Sequence, residues 1–245
     1  MIPLSFSEQQ FYALCILGIF ILSFLFFLYR LKSGKTARLR PIKGFESIKT
    51  LVAHSIETGK PLHVTLGTGS ITDQTTADSL AGLTVLDYIS TETKKAGSAH
   101  VVTMADPTVM LLAHSVSGGQ DKVRWVSPEP TAYAAGVMGT IGIEDTIGNV
   151  MIGNFGDEYL LMGEALHWQR KNITAIAGAS KPDVISLVLA TSPQGIWGEN
   201  MFAGGAYLAE KHAHLSSLFA QDTLRWLIAF IIIGGVIATS IGLLE

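Results

Sequence analysis

Gly67-Thr68-Gly69-Ser70, followed by Thr72 and Asp73, ends a short apolar run and opens a helix-like segment, a pattern of residues suited to holding a phosphate. The amides of Gly69 and Ser70, with the Ser70 and Thr72 hydroxyls, would face an anion at the start of that helix. The match to known fingerprints is partial. Gly67 and Gly69 stand at the first two glycine positions of the dinucleotide pattern, but the third is Thr72, and no lysine followed by Ser or Thr completes a Walker loop. After the next apolar run only Asp106 is available as a ribose-binding acid. The competing reading is a tight turn, with glycines that permit the backbone angle and Asp73 as helix cap.

Four further junctions carry hydroxyls, acids and small residues: Ala105-Asp106-Pro107, Ser127-Pro128-Glu129-Pro130, Gly153-Asn154-Phe155-Gly156-Asp157-Glu158 and Ala179-Ser180-Lys181-Pro182. Asn154 tolerates left-handed backbone, and Asp157 and Glu158 complement a helix N-terminus without any chemistry. A serine nucleophile at Ser70, Ser127 or Ser180 needs a histidine base and a third group orienting it. His114 and His167 lie inside helical patterns and His54 precedes the first strand, so none is delivered to such a junction, and no G-x-S-x-G elbow occurs. His212 and His214 are two apart, on opposite sides of a helix rather than at the i, i+4 spacing of a metal pair. With Glu210 and Lys211 they read as a solvated connector. The single cysteine, Cys15, leaves no disulfide or thiolate site. Candidate ligand-binding residues are therefore Gly67, Thr68, Gly69, Ser70, Thr72, Asp106, Ser127, Asn154, Asp157 and Ser180; no catalytic residue, metal site or cofactor is indicated.

These junctions need strands and helices to bring them together. From about residue 44 to 221, short apolar runs alternate with helical patterns. The strands are read at 62–67, 99–105, 123–127, 149–156 and 173–180. Before the first, Ile48, Leu51, Val52 and Ile56 form one helical face ended by Gly59; after it, Leu80, Leu83, Leu86 and Ile89 form another. Such alternation predicts right-handed βαβ units and a parallel sheet covered on both faces. The expected fold is α/β, a three-layer Rossmann-like domain with a mainly parallel sheet of about five strands. The loops following its strands emerge at one edge, where open α/β sheets bind ligands. Two units align, with Pro107, Val109 and Leu112 matching Pro182, Val184 and Leu187; proline at a helix start is favoured locally, so convergence accounts for the match. The glycine-rich 195–207 segment, with Trp197, Met201, Phe202 and Tyr207, reads as a mobile flap over the edge or a surface for another subunit.

Of 245 residues, 48% are hydrophobic and only 15% charged, and the apolar excess lies at the two ends. Phe11 to Tyr29 is uncharged and, at about 1.5 Å per residue, about 28 Å long, close to the hydrocarbon thickness of a bilayer. Leu224 to Leu244 repeats the pattern, with Arg225 placed to reach headgroups beside Trp226. A cleaved signal would need a basic start and small residues near its end, where Phe24, Phe26, Phe27 and Tyr29 stand instead. Both ends are thus expected to anchor in a lipid bilayer. Arg30, Lys32, Lys35, Arg38, Arg40 and Lys43 follow the first span with no acid between them, which places that flank and the central domain in the cytoplasm and both termini on the outer side. Beside a span this arm is topological rather than a nucleic-acid arm, and a net charge of -3 implies no particular partner. Gly234, Ala238 and Gly242 recur every four residues, a ridge for Gly18 of the first span, a second copy or another membrane protein. The boundaries read 1–30 for the first span, 31–43 for the basic linker, 44–221 for the α/β domain and 222–245 for the second span.

With "LGTGSITDQTTADSLAGL" and "GNFGDEYLLMGEAL" between two terminal spans, the chain resembles an uncharacterised prokaryotic family of two-span membrane proteins known only as a domain of unknown function. The resemblance implies architecture and carries over no catalytic residues. The function expected is a membrane-tethered scaffold or ligand-sensing subunit of an inner-membrane assembly. The alternative is a nucleotide- or phosphate-binding enzyme using the Gly67 to Thr72 loop.

Overall fold

In a computed structural model, described for residues 7–33, 39–119, 121–168 and 173–240, the chain divides into two compact units. One joins Met1–Leu39 to Glu210–Glu245, and the other is Arg40–Ala209.

The first unit contains α1 (Glu8–Lys32) and the last helix, His212–Ser240, both long and apolar enough to cross a membrane. Ser7 and Gln10 form a capping box at the start of α1, which satisfies two amides that the helix itself leaves unpaired. The two helices pack together, with the Phe27 and Phe219 rings 5.5 Å apart. A Cβ placed on Gly18 or Gly234 would meet nothing within 4 Å, so these two glycines leave open space beside them. Gly242, Lys35 and Arg38 lie outside the described residues. The second helix begins twelve residues before Leu224, so the 221/222 boundary falls inside a continuous helix.

The second unit runs α2 (Lys43–Thr58), β1 (Leu62–Gly67), α3 (Thr76–Lys94), β2 (Val101–Met104), α4 (Pro107–Ser117), β3 (Lys122–Trp125), α5 (Pro130–Ile143), β4 (Gly148–Asn154), α6 (Glu158–Trp168), β5 (Thr174–Ala179), α7 (Pro182–Thr191) and β6 (Ile196–Trp197). A 3-10 turn (Gly198–Ala203) and α8 (Gly204–Tyr207) follow, and α9 is the membrane-length helix already described. All five strand pairings are parallel, in the order β3-β2-β1-β4-β5-β6. Proline opens α4, α5 and α7, where its missing N–H has no intrahelical partner to lose.

The sheet is covered on both faces. Leu66 and Ile152 pack toward Gly82 of α3, which itself packs against α2, α4 and α8. On the other face Tyr133, Val137 and Ile141 of α5, Tyr159 and Met162 of α6, and Val184 and Val188 of α7 share a core with Met151 and Ala177. Strand β3 is the exposed edge, where Glu144 takes Arg124 at 2.6 Å and Lys122 at 3.6 Å and so places charge along unpaired backbone.

Three readings are corrected. Ile56 is 37% and Leu80 48% exposed, so each belongs to the flank of its helix rather than the core stripe. The 195–207 segment is no flap: it supplies the sixth strand, and Met201 and Ala206 are buried. Tyr207 stacks on Phe45 at 5.2 Å and donates to the Arg40 carbonyl at 2.8 Å, fixing the end of the segment to the start of the domain.

Candidate functional site

The strand order places β1 beside β4, with successive strands then added outward in both directions, so the loops leaving β1 and β4 diverge to opposite faces and frame a crevice. Gly67 makes this junction possible. Its φ is +81°, and a Cβ there would strike the Asn154 carbonyl oxygen. The Thr68 amide donates to that same carbonyl at 2.8 Å, tying the two loops together. From the α5 face the buried Tyr133 hydroxyl accepts the Gly67 amide at 3.2 Å and donates to the Thr103 carbonyl at 3.2 Å. Burial raises the Tyr133 pKa far above the ordinary phenol value, which keeps the proton on the donor.

The remainder of the β1 loop is held by its own hydroxyls. The Ser70 amide donates to Thr75 Oγ1 at 2.8 Å, the Thr72 amide to Ser70 Oγ at 3.2 Å, and the Ser70 and Thr72 hydroxyls bond to each other at 3.0 Å. Asp73 accepts the Thr75 amide at 2.7 Å and the Thr75 hydroxyl, and these hydrogen bonds hold its carboxyl below the usual carboxylate range. Since α3 begins at Thr76, Asp73 closes a turn ahead of the helix and does not cap it; Thr75, at the capping position, makes no side-chain cap bond either. The anion cradle expected at Gly69, Ser70 and Thr72 is therefore largely occupied by internal bonds.

Directly beneath Gly69 lie Ser79 and Asn154. A Cβ on Gly69 would stand 2.5 Å from Ser79 Oγ and 2.9 Å from the Asn154 Cβ, so backbone reaches these side chains only because residue 69 has none. Ser79 is fully buried and Asn154 is 6% exposed, yet Ser79 Oγ and Asn154 Oδ1 have no hydrogen-bond partner. Two buried carboxylates flank them. Asp78 accepts the Ser180 hydroxyl at 2.8 Å, joining α3 to the loop after β5; Glu158 accepts the Gly156 amide at 2.8 Å and the Thr68 hydroxyl at 3.2 Å, joining α6 to the loop after β1.

Of the residues expected at the edge, the structure brings together Gly67, Thr68, Gly69, Ser70, Thr72, Asn154 and Ser180. Asp106 follows β2, next to β1, where its Oδ1 accepts the Thr108 and Val109 amides and caps α4. Ser127 follows the edge strand and accepts the Glu129 amide at 3.2 Å, away from the crevice. Asp157 is exposed, while its neighbour Glu158 turns inward. Ser79, Asp78 and Tyr133 are the residues that sequence reasoning missed, while Glu158 was read only as an acid of its junction. Ser79 carried a legible signal, since it shares one helical stripe with Gly82, Leu83 and Leu86 and is its polar member. His54, His114, His167, His212 and His214 are exposed and lie outside this group. Among the described residues no three His, Cys, Asp or Glu side chains converge as metal ligands would.

A six-stranded parallel sheet in this order, with glycine-rich loops meeting where it reverses, defines a doubly wound Rossmann-type domain. The chain belongs to the family described as Domain of unknown function (DUF6754), whose model matches residues 3–245. No curated protein and no solved structure matches it.

Proposed function

We propose that the protein is a membrane-tethered, ligand-sensing α/β module, a subunit of a cell-membrane assembly with its central domain on the cytoplasmic side. The observation that carries this reading is the pair of unpartnered polar atoms, Ser79 Oγ and Asn154 Oδ1, buried where β1 and β4 part. A buried polar group without a partner costs about 1–3 kcal/mol, and a ligand that supplies the partner recovers it. The two membrane-length helices and the basic residues Arg30, Lys32, Arg40 and Lys43 support the tether and its sidedness. Open space at Gly234 supports contact with a second copy or another membrane protein. The scaffold reading lacks an observation of this kind. A phosphate-binding enzyme draws support only from the uncapped start of α3, against loop amides at Gly67, Thr68 and Ser70 that are already engaged.

The test is a thermal-shift screen of small polar metabolites on the full chain in detergent micelles, repeated with Gly69→Ala, whose added methyl would stand 2.5 Å from Ser79 Oγ and so displace the Ser79 and Asn154 side chains. A stabilising compound that loses its effect in the variant is expected. A screen without stabilisation, or a response that survives Gly69→Ala, removes the reading.

A further inference from the structure

Resting on the ligand-sensing reading, we propose that the crevice between β1 and β4 takes a neutral, donor-rich group bearing vicinal hydroxyls, and that Ser79, Asn154, Asp78 and Glu158 recognise it. Four observations converge on this class of ligand.

The unpartnered atoms come first. Asn154 Oδ1 only accepts, so its missing partner must donate; Ser79 Oγ can do either. Second, the two buried carboxylates each hold their protein donors on one oxygen: Asp78 Oδ1 takes Ser180, and Glu158 Oε1 takes Gly156 and Thr68. The bonds of Asp78 and Glu158 fall on Oδ1 and Oε1 alone, and Oδ2 and Oε2 are not among the buried unpartnered atoms, so they stand as acceptors at the surface of the site. Adjacent hydroxyls match such acceptors, because one O–H can donate to a carboxylate oxygen while its neighbour donates to an amide oxygen or hydroxyl.

Third, the charge around the crevice disfavours an anion. The loops and helix starts here carry Asp73, Asp78, Asp157 and Glu158, and the cation Lys181 lowers the Asp73 carboxyl only as a minor contributor behind the Thr75 hydrogen bonds. Fourth, four of the loop's backbone amides are committed, Ser70 among them. Gly67 donates to Tyr133, Thr68 to the Asn154 carbonyl, Ser70 to Thr75 and Thr72 to Ser70. A loop that keeps its amides for itself and lines its floor with acceptors selects donors. The ligand is therefore the ribose of a nucleoside or a free sugar rather than a phosphate.

The experiment uses the full chain in detergent micelles, with thermal unfolding measured against adenosine, D-ribose, adenosine monophosphate and inorganic phosphate. Adenosine is expected to raise Tm saturably, by about 5 °C at a hundredfold excess over its half-saturating concentration, and phosphate not at all. A matching response to ribose makes a free sugar sufficient; its absence makes the ligand a nucleoside. Ser79→Ala and Glu158→Gln should each raise the half-saturating concentration at least about tenfold, as expected for a lost hydrogen bond to a buried or charged partner. Stabilisation by phosphate or the monophosphate without adenosine overturns the ligand class, and if Ser79→Ala abolishes it, the ligand-sensing reading stands. Stabilisation by adenosine that both variants leave unchanged places the ligand elsewhere and overturns the proposal. No response to any of the four overturns the ligand class; the wider metabolite screen then decides the sensing reading separately.

Discussion

The two central strands and the β2–β3 flank treat buried polar groups in opposite ways. On the flank, no buried side-chain polar atom among the described residues lacks a partner. His100 accepts the Leu62 amide on Nδ1 at 3.0 Å and bonds Thr93 Oγ1 through Nε2 at 2.6 Å, while Asp121 takes the His100 amide at 2.9 Å and the Ser90 hydroxyl at 2.6 Å. The flanking helices are also capped, α4 by Asp106 and α5 by Glu129. Along the centre, pairing is left open: His63 Nδ1, Ser79 Oγ, Thr146 Oγ1, Asn149 Nδ2 and Asn154 Oδ1 are the buried side-chain atoms without partners among the described residues. All five lie on β1, on β4, on the turn into β4, or on the helix that follows β1. Only Ser79 Oγ and Asn154 Oδ1 stand at the edge where the strands end; His63, Asn149 and Thr146 lie at the strand starts. Paired networks fix a fold, whereas unpaired capacity at a ligand-binding edge is where a bound molecule gains affinity.

The largest effect expected from breaking the central side is Gly67→Ala. A non-glycine residue in the left-handed region costs about 1–2 kcal/mol, and the clash with the Asn154 carbonyl adds about 1–3. Together they should lower Tm of the full chain in micelles by about 10 °C. Gly118, on the flank, also has a positive φ, but its nearest contact is the flexible end of Lys94, so Gly118→Ala should cost less than half as much. Equal losses would show that the junction between β1 and β4 is no tighter than an ordinary helix end.

Acid should act next. Burial holds His63 down to about 3, far below its ordinary value near 6.5, so the folded state keeps it neutral while the unfolded chain takes up a proton below 6.5. Its contribution is fully present above pH 6.5 and is lost as pH falls toward 3, at about 1.4 kcal/mol per unit, or about 2 kcal/mol between 6.5 and 5. His100 is also lowered by burial, but Asp121 opposes the shift. Melting curves from pH 7 to 5 should therefore flatten more for His63→Gln than for His100→Gln. The reverse order would put His63, bonded to Thr103 Oγ1 through Nε2 but open at Nδ1, on the wrong side of the comparison.

Much of this architecture is legible without coordinates, and the exceptions share a cause. Alternating apolar runs located five strands, and prolines marked three helix starts, because both signals are local. The two-residue β6 is too short to show a period, and its glycine and aromatic surroundings resemble a loop. Ile56 and Leu80 were drawn into core stripes because periodicity fixes a helix face only to within one residue's width. At the site, Gly67, Gly69 and Asn154 could be read because glycine and asparagine announce unusual backbone. Asp78 could not, and Glu158 only as one acid of its junction, since an acid in the first turn of a helix looks the same whether it faces water or a crevice. Which loops meet depends on strand order, which one sequence does not contain.

The smallest expected effect is the most discriminating, because it compares one substitution at two buried positions of one helix. Ser90 and Ser79 both lie on α3, and both are fully buried. Ser90→Ala deletes the donor to Asp121 Oδ2 and leaves a buried carboxylate oxygen unpaired, at a cost of about 1–3 kcal/mol. Ser79→Ala deletes a hydroxyl that has no partner, so the free protein should stay within about 0.5 kcal/mol of its original stability or gain. The size of the deleted group is the same, so packing loss alone cannot separate the two variants. If Ser79→Ala destabilises the ligand-free chain as much as Ser90→Ala, the Ser79 hydroxyl already has a partner in solution, and the centre of the sheet is as fully paired as its flank. If it does not, the hydroxyl is kept at a cost to the free protein, which is the behaviour of a group that binds something else.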